Sequence, residues 1–166
     1  MDSHWLAWLG GLIDGEGTIG LHRANAKNWP RPYLCPHLQI ANTDVRLLRK
    51  AAEIIEGVTG KPSHKLVVTN KHRGERNWKV GYRLAVTTKW EIALLLVALR
   101  PYLVGKTEQA DVVHEFCIRR HGRETPGRRG YSDLDIDEAL YLRCLALNRR
   151  GLPPSEELER MLPTEG

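Results

Sequence analysis

Two adjacent glycines, Gly10 and Gly11, sit inside Trp5 to Asp14, where Trp5, Trp8, Leu9, Leu12 and Ile13 recur at helical spacing. A glycine in a helix interior costs about 1 kcal/mol relative to alanine, so a helix that keeps two of them needs a reason. Ala7, Gly10, Gly11 and Asp14 form a second stripe, of small residues, along the same helix. A stripe of this kind lets another backbone come very close. Ser3 is expected to cap the helix, and Gly15-Glu16-Gly17 to end it.

After this helix the period changes from helical to two. Thr18 to Arg23 alternates, with Ile19 and Leu21 on one side. Ala24 to Pro32 reads as a loop, and Tyr33 to Ala41 alternates again, with Leu34, Leu38 and Ile40 on its apolar face. Asn42 or Thr43 caps a helix from Asp44 to Glu56 that buries Val45, Leu48, Ala52 and Ile55 and closes at Gly57. Lys65 to Lys71 and Trp78 to Thr87 flank a charged hairpin with Gly74. Leu66 and Val68, with Tyr82, Leu84 and Val86, are expected to point inward. Thr88 caps a helix from Lys89 to Arg100, and Tyr102 to Arg120 is mostly helical with a break at Gly105. A Gly/Arg/Pro linker, His121 to Gly130, precedes a scaffold helix from Asp133 to about Asn148 carrying Leu134, Ile136, Leu140, Leu145 and Leu147. A short acidic helix ends the chain.

The order is αββαββα followed by helices, an α+β class. Strands in hairpin pairs predict an antiparallel sheet with helices on one face. At 166 residues and 42% hydrophobic, the chain can bury a core as one unit. Residues 1–121 are read as the core and 122–166 as a C-terminal helical extension of the same domain. The longest apolar run, Ile92 to Leu99, is too short to span a membrane. Met1 to Trp5 has no signal-peptide pattern, and Cys35, Cys117 and Cys144 lie far apart, so a soluble intracellular protein is expected.

Charge points to a partner. Residues 18–88 hold 13 Lys/Arg against 4 Asp/Glu, while the whole chain carries only +5. A basic zone inside a balanced chain suits a polyanion, most simply nucleic acid. A half-buried sheet always has one polar face, but that face normally mixes charges. Here the polar positions carry His22, His37, Lys65, Lys71, Lys79 and Arg83 with no acid, beside Tyr33, Gln39 and Thr69. The seven histidines are scattered and none forms H-x-x-x-H, so His22 and His37 suit base edges better than a metal. Trp29 and Tyr33 either stack or pack, and Arg128-Arg129 and Arg149-Arg150 either touch phosphates or stay solvated.

The segment Leu9-Gly10-Gly11-Leu12-Ile13-Asp14-Gly15-Glu16-Gly17 resembles the signature of the LAGLIDADG homing endonucleases at six of nine positions: Leu9, Gly11, Leu12, Ile13, Asp14 and Gly17. Gly10 and Gly15 are small-for-small changes and Glu16 is acid-for-acid. The segment ends a helix, precedes a strand and sits within αββαββα, and the resemblance covers about residues 3 to 121. It implies a saddle-shaped antiparallel sheet in the DNA major groove and motif helices packed together at the centre. Because the chain has one motif, it implies a homodimer with Ala7, Gly10, Gly11 and Asp14 at the seam. Asp14 is read there as a structural carboxylate accepting backbone donors, with the partner helix's N-terminus considered as their source.

The resemblance also implies a site. Glu16 matches the family's metal-ligating acid and the carbonyl of Gly15 a second ligand, hard oxygens that suit Mg2+, with Mn2+ or Ca2+ able to replace it for binding. Glu replaces the usual Asp, so the carboxylate stands one methylene further out. Asn42, Arg46 and Lys106 match polar and basic residues around the scissile phosphate; Asn42 is equally a helix cap and Arg46 equally a phosphate anchor. The DNA-contacting set is His22, Tyr33, His37, Gln39, Lys65, Thr69, Lys71, Lys79 and Arg83. The implied activity is intron-encoded, site-specific double-strand DNA cleavage at a long near-palindromic target. It leaves 3′ overhangs and involves no membrane and no small-molecule substrate. The alternative is a non-catalytic member of the family, an RNA maturase or a DNA-binding regulator; retention of the carboxylate at Glu16 favours the enzyme.

Overall fold

The computed structural model describes residues 2–24, 33–62, 65–69, 80–120 and 134–148. Helix α1 (Ser3–Glu16) is capped by Asp2, whose carboxylate accepts from the His4 N–H, one residue before the expected Ser3. It runs directly into β1 (Gly17–Ala24), and β2 (Tyr33–Asn42) returns beside it. Helix α2 (Val45–Thr59) is capped by Asp44 rather than by Asn42 or Thr43. It ends at Gly60, not Gly57, because Gly60 adopts the left-handed conformation (φ 70°) and returns its N–H to Glu56. Strands β3 (Lys65–Val68) and β4 (Tyr82–Val86) follow, then α3 (Lys89–Leu99), a 3-10 turn (Arg100–Tyr102), α4 (Thr107–Arg120) and α5 (Leu134–Leu147). Thr88 occupies the N-cap of α3 but makes no side-chain cap bond. The expected charged hairpin after Lys71, the linker and the acidic tail lie outside the described residues. No described helix is long and apolar enough to cross a membrane.

All strand pairs are antiparallel and the sheet order is β1-β2-β4-β3. The register places Ile19 opposite Leu38 and Leu38 opposite Val86, with Ile40 opposite Leu84. These residues are almost wholly buried and form one core with Leu9 and Ile13 of α1, Leu48 and Ile55 of α2, Ile92, Leu95 and Leu96 of α3, and Val113 and Phe116 of α4. The sequence expectation of an inward face on β3 fails: Lys65 to Val68 are all exposed, Leu66 and Val68 at 38% and 39%. β3 is an edge strand beyond the reach of the covering helices.

The other edge is treated differently, and here the one-sided arrangement of helices breaks down. Helix α5 lies along β1, with Leu140 and Cys144 buried and Asn148 Nδ2 donating to the carbonyl of Ile19 at 2.9 Å. Edge strands carry unpaired backbone groups, and α5 covers part of this one. An ion pair from Arg23 to Glu138, Arg23 over the Tyr141 ring and a buried Arg120–Asp137 pair fasten α5 to β1 and α4.

The glycine pair of α1 divides. Gly10 is buried, and a Cβ built there would stand 2.9 Å from both Cβ and the carbonyl oxygen of Tyr102. The close backbone approach that Gly10 permits is therefore made by the 3-10 turn of its own chain. This corrects the placement of Gly10 at a dimer seam. Gly11 and Ala7 are exposed, and a Cβ on Gly11 meets nothing within 4 Å. Gly10→Ala should accordingly destabilise the fold by about 1–3 kcal/mol, because backbone must shift to admit the methyl. Urea unfolding should show a lower midpoint with an unchanged slope.

Candidate catalytic centre and sheet face

Helix and strand meet at Gly17 without a connecting residue. The Gly17 N–H closes α1 on the carbonyl of Ile13, and a Cβ at Gly17 would lie only 2.7 Å from that oxygen. Glycine is thus the residue that lets α1 end and β1 begin at once. Glu16 is consequently held at the last position of α1 with its side chain exposed.

The same helix end is tied to α4. The Asp14 carboxylate accepts three backbone N–H groups, from Val104 (2.7 Å), Gly105 (3.2 Å) and Lys106 (3.0 Å), where the chain enters α4. A carboxylate is favourable there because those donors and the helix dipole present positive charge. Its donors belong to its own chain, so the suggested partner-helix N-terminus is corrected: the Asp14 carboxylate is spent inside the subunit. In return the Lys106 ammonium donates to the carbonyls of Ile13 (3.0 Å) and Asp14. Burial pushes the Lys106 pKa down, while the charges of Asp14 and Glu16 oppose the shift. Two of the three ammonium donors are engaged, and one remains for an anion.

A cleft of about 370 Å3 opens beside Glu16, lined by Glu16, Ala41, Asn42, Thr43, Thr69, Gly81 and Tyr82. Three sequence-predicted residues, Glu16, Asn42 and Thr69, therefore share one cavity, with Lys106 bound to the helix end that carries Glu16. Asn42 also accepts the Asp44 N–H at 2.8 Å through Oδ1, so it braces the entry to α2 while lining the cleft. Arg46 is exposed and its guanidinium is paired with Asp44 at 2.6 Å, which holds the Asp44 carboxyl down to about 2. Thr69 stands in the cleft, with its N–H on the Gly81 carbonyl. Thr43, Gly81 and Tyr82 were missed by sequence reasoning. Tyr82 shares the strand face of Leu84 and Val86 and packs, partly buried, against the core as the sequence indicated, while also lining the cleft.

Register also decides the polar sheet face. Thr18, Gly20 and His22 of β1, Tyr33, His37 and Gln39 of β2, Arg83 of β4 and Lys65 of β3 lie on the side opposite Ile19, Leu38 and Leu84. None of these is acidic. Lys71 and Lys79 lie outside the described residues. His22 and His37 touch, Nδ1 to Nδ1 at 3.2 Å, and Gly20 is the signal that could have announced the pair. A Cβ there would stand 2.9 Å from His37 Cε1.

No protein-family model and no curated protein matches the chain. Solved structures do match. I-CvuI, a homing endonuclease in complex with its target in the presence of Ca, has a TM-score of 0.68 at 17% identity over 95% of this chain and 92% of that one. The archaeal intron-encoded homing endonuclease I-Vdi141I, complexed with DNA, has a TM-score of 0.69 at 14% identity over 92% and 89%. The LAGLIDADG meganuclease I-AabMI, bound to uncleaved DNA, has 0.63 at 18% identity over 96% of this chain and 48% of that one. The fold is that of the LAGLIDADG homing endonucleases. Within this LAGLIDADG fold, the motif residues Asp14, Glu16 and Gly17 have the distinct local tasks described above.

The donor set at the end of α1 fits a hard divalent cation. Glu16 offers an exposed carboxylate, and the helix terminus points carbonyls, Gly15 among them, away from the helix. Among the described residues no group of three or more His, Cys, Asp and Glu comes together. Among the described residues, Glu16 and the Gly15 carbonyl thus offer only part of a coordination shell.

Asp14→Asn keeps one acceptor oxygen but loses the charge that three N–H donors share. It should lower stability by about 1.5–3 kcal/mol, the usual range for hydrogen bonds to a charged group. Hydrogen exchange should quicken first at the start of α4.

Proposed function

We propose that the chain is a site-specific, metal-dependent DNA endonuclease of the LAGLIDADG family, active as a homodimer and encoded within an intron. The observation that carries this reading is the exposed Glu16 carboxylate at the end of the motif helix, in a cleft shared with Asn42, on a fold whose solved examples are homing endonucleases on DNA.

Glu16 and the Gly15 carbonyl would hold Mg2+, with Mn2+ or Ca2+ able to replace it for binding. Bound there, the ion supplies positive charge for the phosphate and the leaving 3′ oxygen. Around it Lys106 directs its remaining N–H at a phosphate oxygen, where charge develops in the reaction. Asn42 orients water in the cleft, and Arg46, exposed at the start of α2, anchors a flanking phosphate. Lys65, Lys71 and Lys79 add charge towards the DNA backbone. Gln39 and Arg83 carry the donors that read base edges in the major groove, alongside His22, Tyr33 and His37. Thr69 contacts the DNA at the mouth of the cleft.

One carboxylate per chain is the reason for a dimer. Cutting both strands of a near-palindrome to leave 3′ overhangs needs two such centres related by a twofold axis. Ala7 and Gly11 lie exposed on the motif helix, and this open side supports a seam between two copies.

Glu16→Gln should abolish cleavage while DNA affinity stays within a few-fold, because an amide is a poor replacement for a carboxylate on Mg2+. Incubation with a plasmid library and Mg2+, followed by sequencing of cut ends, supplies the target, and nicking of supercoiled plasmid then scores the variant. Cutting by the variant at the wild-type rate would remove Glu16 from the site. Binding without cutting by the wild type would turn the reading to a DNA-binding regulator.

Gly11→Leu should leave the subunit folded, since the side chain meets nothing in its own chain, yet reduce the dimer to monomers and stop cutting. Light scattering with circular dichroism separates the two effects. A variant that stays dimeric and active would move the seam elsewhere.

A further inference from the structure

The proposed DNA-reading face holds one pair of side chains whose behaviour differs from that of independent base contacts. His22 and His37 are diagonal neighbours on β1 and β2, the register setting His37 opposite Gly20 and His22 opposite Cys35. Their Nδ1 atoms are 3.2 Å apart, with ring centroids at 5.2 Å and planes tilted by 53°. The His37 ring lies over Gly20 in space that a Cβ would occupy, 2.9 Å from Cε1 and 3.0 Å from Nε2. His37 is half-buried, whereas His22 is exposed. The arrangement is a cradle with one ring seated in it and the other leaning out.

We propose that His22 and His37 act as one reading unit, in which His37 positions His22 and the base edge accepted by His22 Nε2 depends on whether the pair carries an added proton. The proposal rests on the DNA-binding reading above. A hydrogen bond between two Nδ1 atoms needs one donor and one acceptor, so a single proton bridges them. In the neutral pair either ring supplies it. When His37 does, His22 carries its own proton on Nε2 and presents a donor. When His22 does, its Nε2 presents a lone pair.

Adding a proton removes that choice. Burial, and then the His22 ring beside it, hold His37 down to about 4, so His37 is the member of the pair that stays neutral. His22 then bridges through Nδ1–H and presents Nε2–H as a fixed donor with positive charge. A fixed donor selects the acceptors of guanine, N7 and O6, over the amino group of cytosine; the neutral pair accepts both. The surrounding groups do not compete for this proton. Cys35 on β2 is a thiol whose pKa burial raises, Asn148 of α5 beside Gly20 is uncharged, and Arg23 is paired with Glu138. Gln39 and Gly20, nearest in register to His37 on this face, carry no charge, and the face's cations, Arg83 and Lys65, lie on β4 and β3.

Two measurements test the idea. On the protein alone, nitrogen-15 NMR titration of the imidazoles should show His37 staying neutral until about pH 4, and the His22 signals should change in His37→Asn. Selection from a randomised double-stranded DNA library at pH 5.5 and pH 8 should then show guanine enriched several-fold at two mirrored positions at the lower pH, and near parity with cytosine at the higher. His22→Gln should make that preference independent of pH. His37→Ala should blur it, and His37→Asn, which keeps a polar partner near the Nδ1 position, should restore it. DNA binding with the same preference at both pH values, or a His37 that titrates near the ordinary value of 6.5, overturns the pair while leaving the proposed function standing. Absence of DNA binding at either pH overturns both.

Discussion

The end of α1 and the start of α4 hold each other. Asp14 reaches forward to three backbone donors ahead of α4, and Lys106 reaches back to two carbonyls at the end of α1. Each charge sits against the helix dipole that favours it, an anion at an N-terminus and a cation at a C-terminus. Neither terminus could otherwise satisfy its last backbone groups without water. The lock also determines where Glu16 stands, since Glu16 is two residues beyond Asp14 and one before the strand.

Three close approaches shape this frame, and all of them exclude a larger side chain. Gly10 lets the turn at Tyr102 lie against α1, which brings residues 104–106 within reach of Asp14. Gly17 lets the strand begin with no loop, which keeps Glu16 over the cleft. Gly20 makes space for His37 on the opposite side of the sheet. Steric demands in the sequence therefore act at a distance from the residues that carry chemistry.

Charge is sorted across the same frame. Two motif acids project from the end of α1, one consumed in the lock and one exposed, whereas the sheet face beyond them carries Arg83, Lys65 and imidazoles with no acid among them. A polyanion attracted to the basic face would bring its phosphates towards the exposed Glu16 carboxylate, and an accompanying cation would offset that repulsion. This electrostatic conflict is the physical reason that the exposed Glu16 goes together with a divalent ion in the proposed function.

The sequence by itself determined the order of elements, the antiparallel hairpins and the polar face, because periods of 3.6 and 2 report which side of an element meets the core. It also singled out the motif, with Glu16 at its exposed end. It misassigned Gly10 and the donors to Asp14, because a small-residue stripe announces a close approach without saying whether the neighbour is the same chain or another. It exposed nothing of Tyr82 in the cleft or of the coverage of β1 by α5. Alternation continues along a strand even where the covering helices have ended, so Leu66 and Val68 read as core in the sequence. Only the tertiary structure decided where the core stops, which carbonyls Lys106 serves and that His22 meets His37, since each depends on residues distant in the chain being brought within a few ångströms.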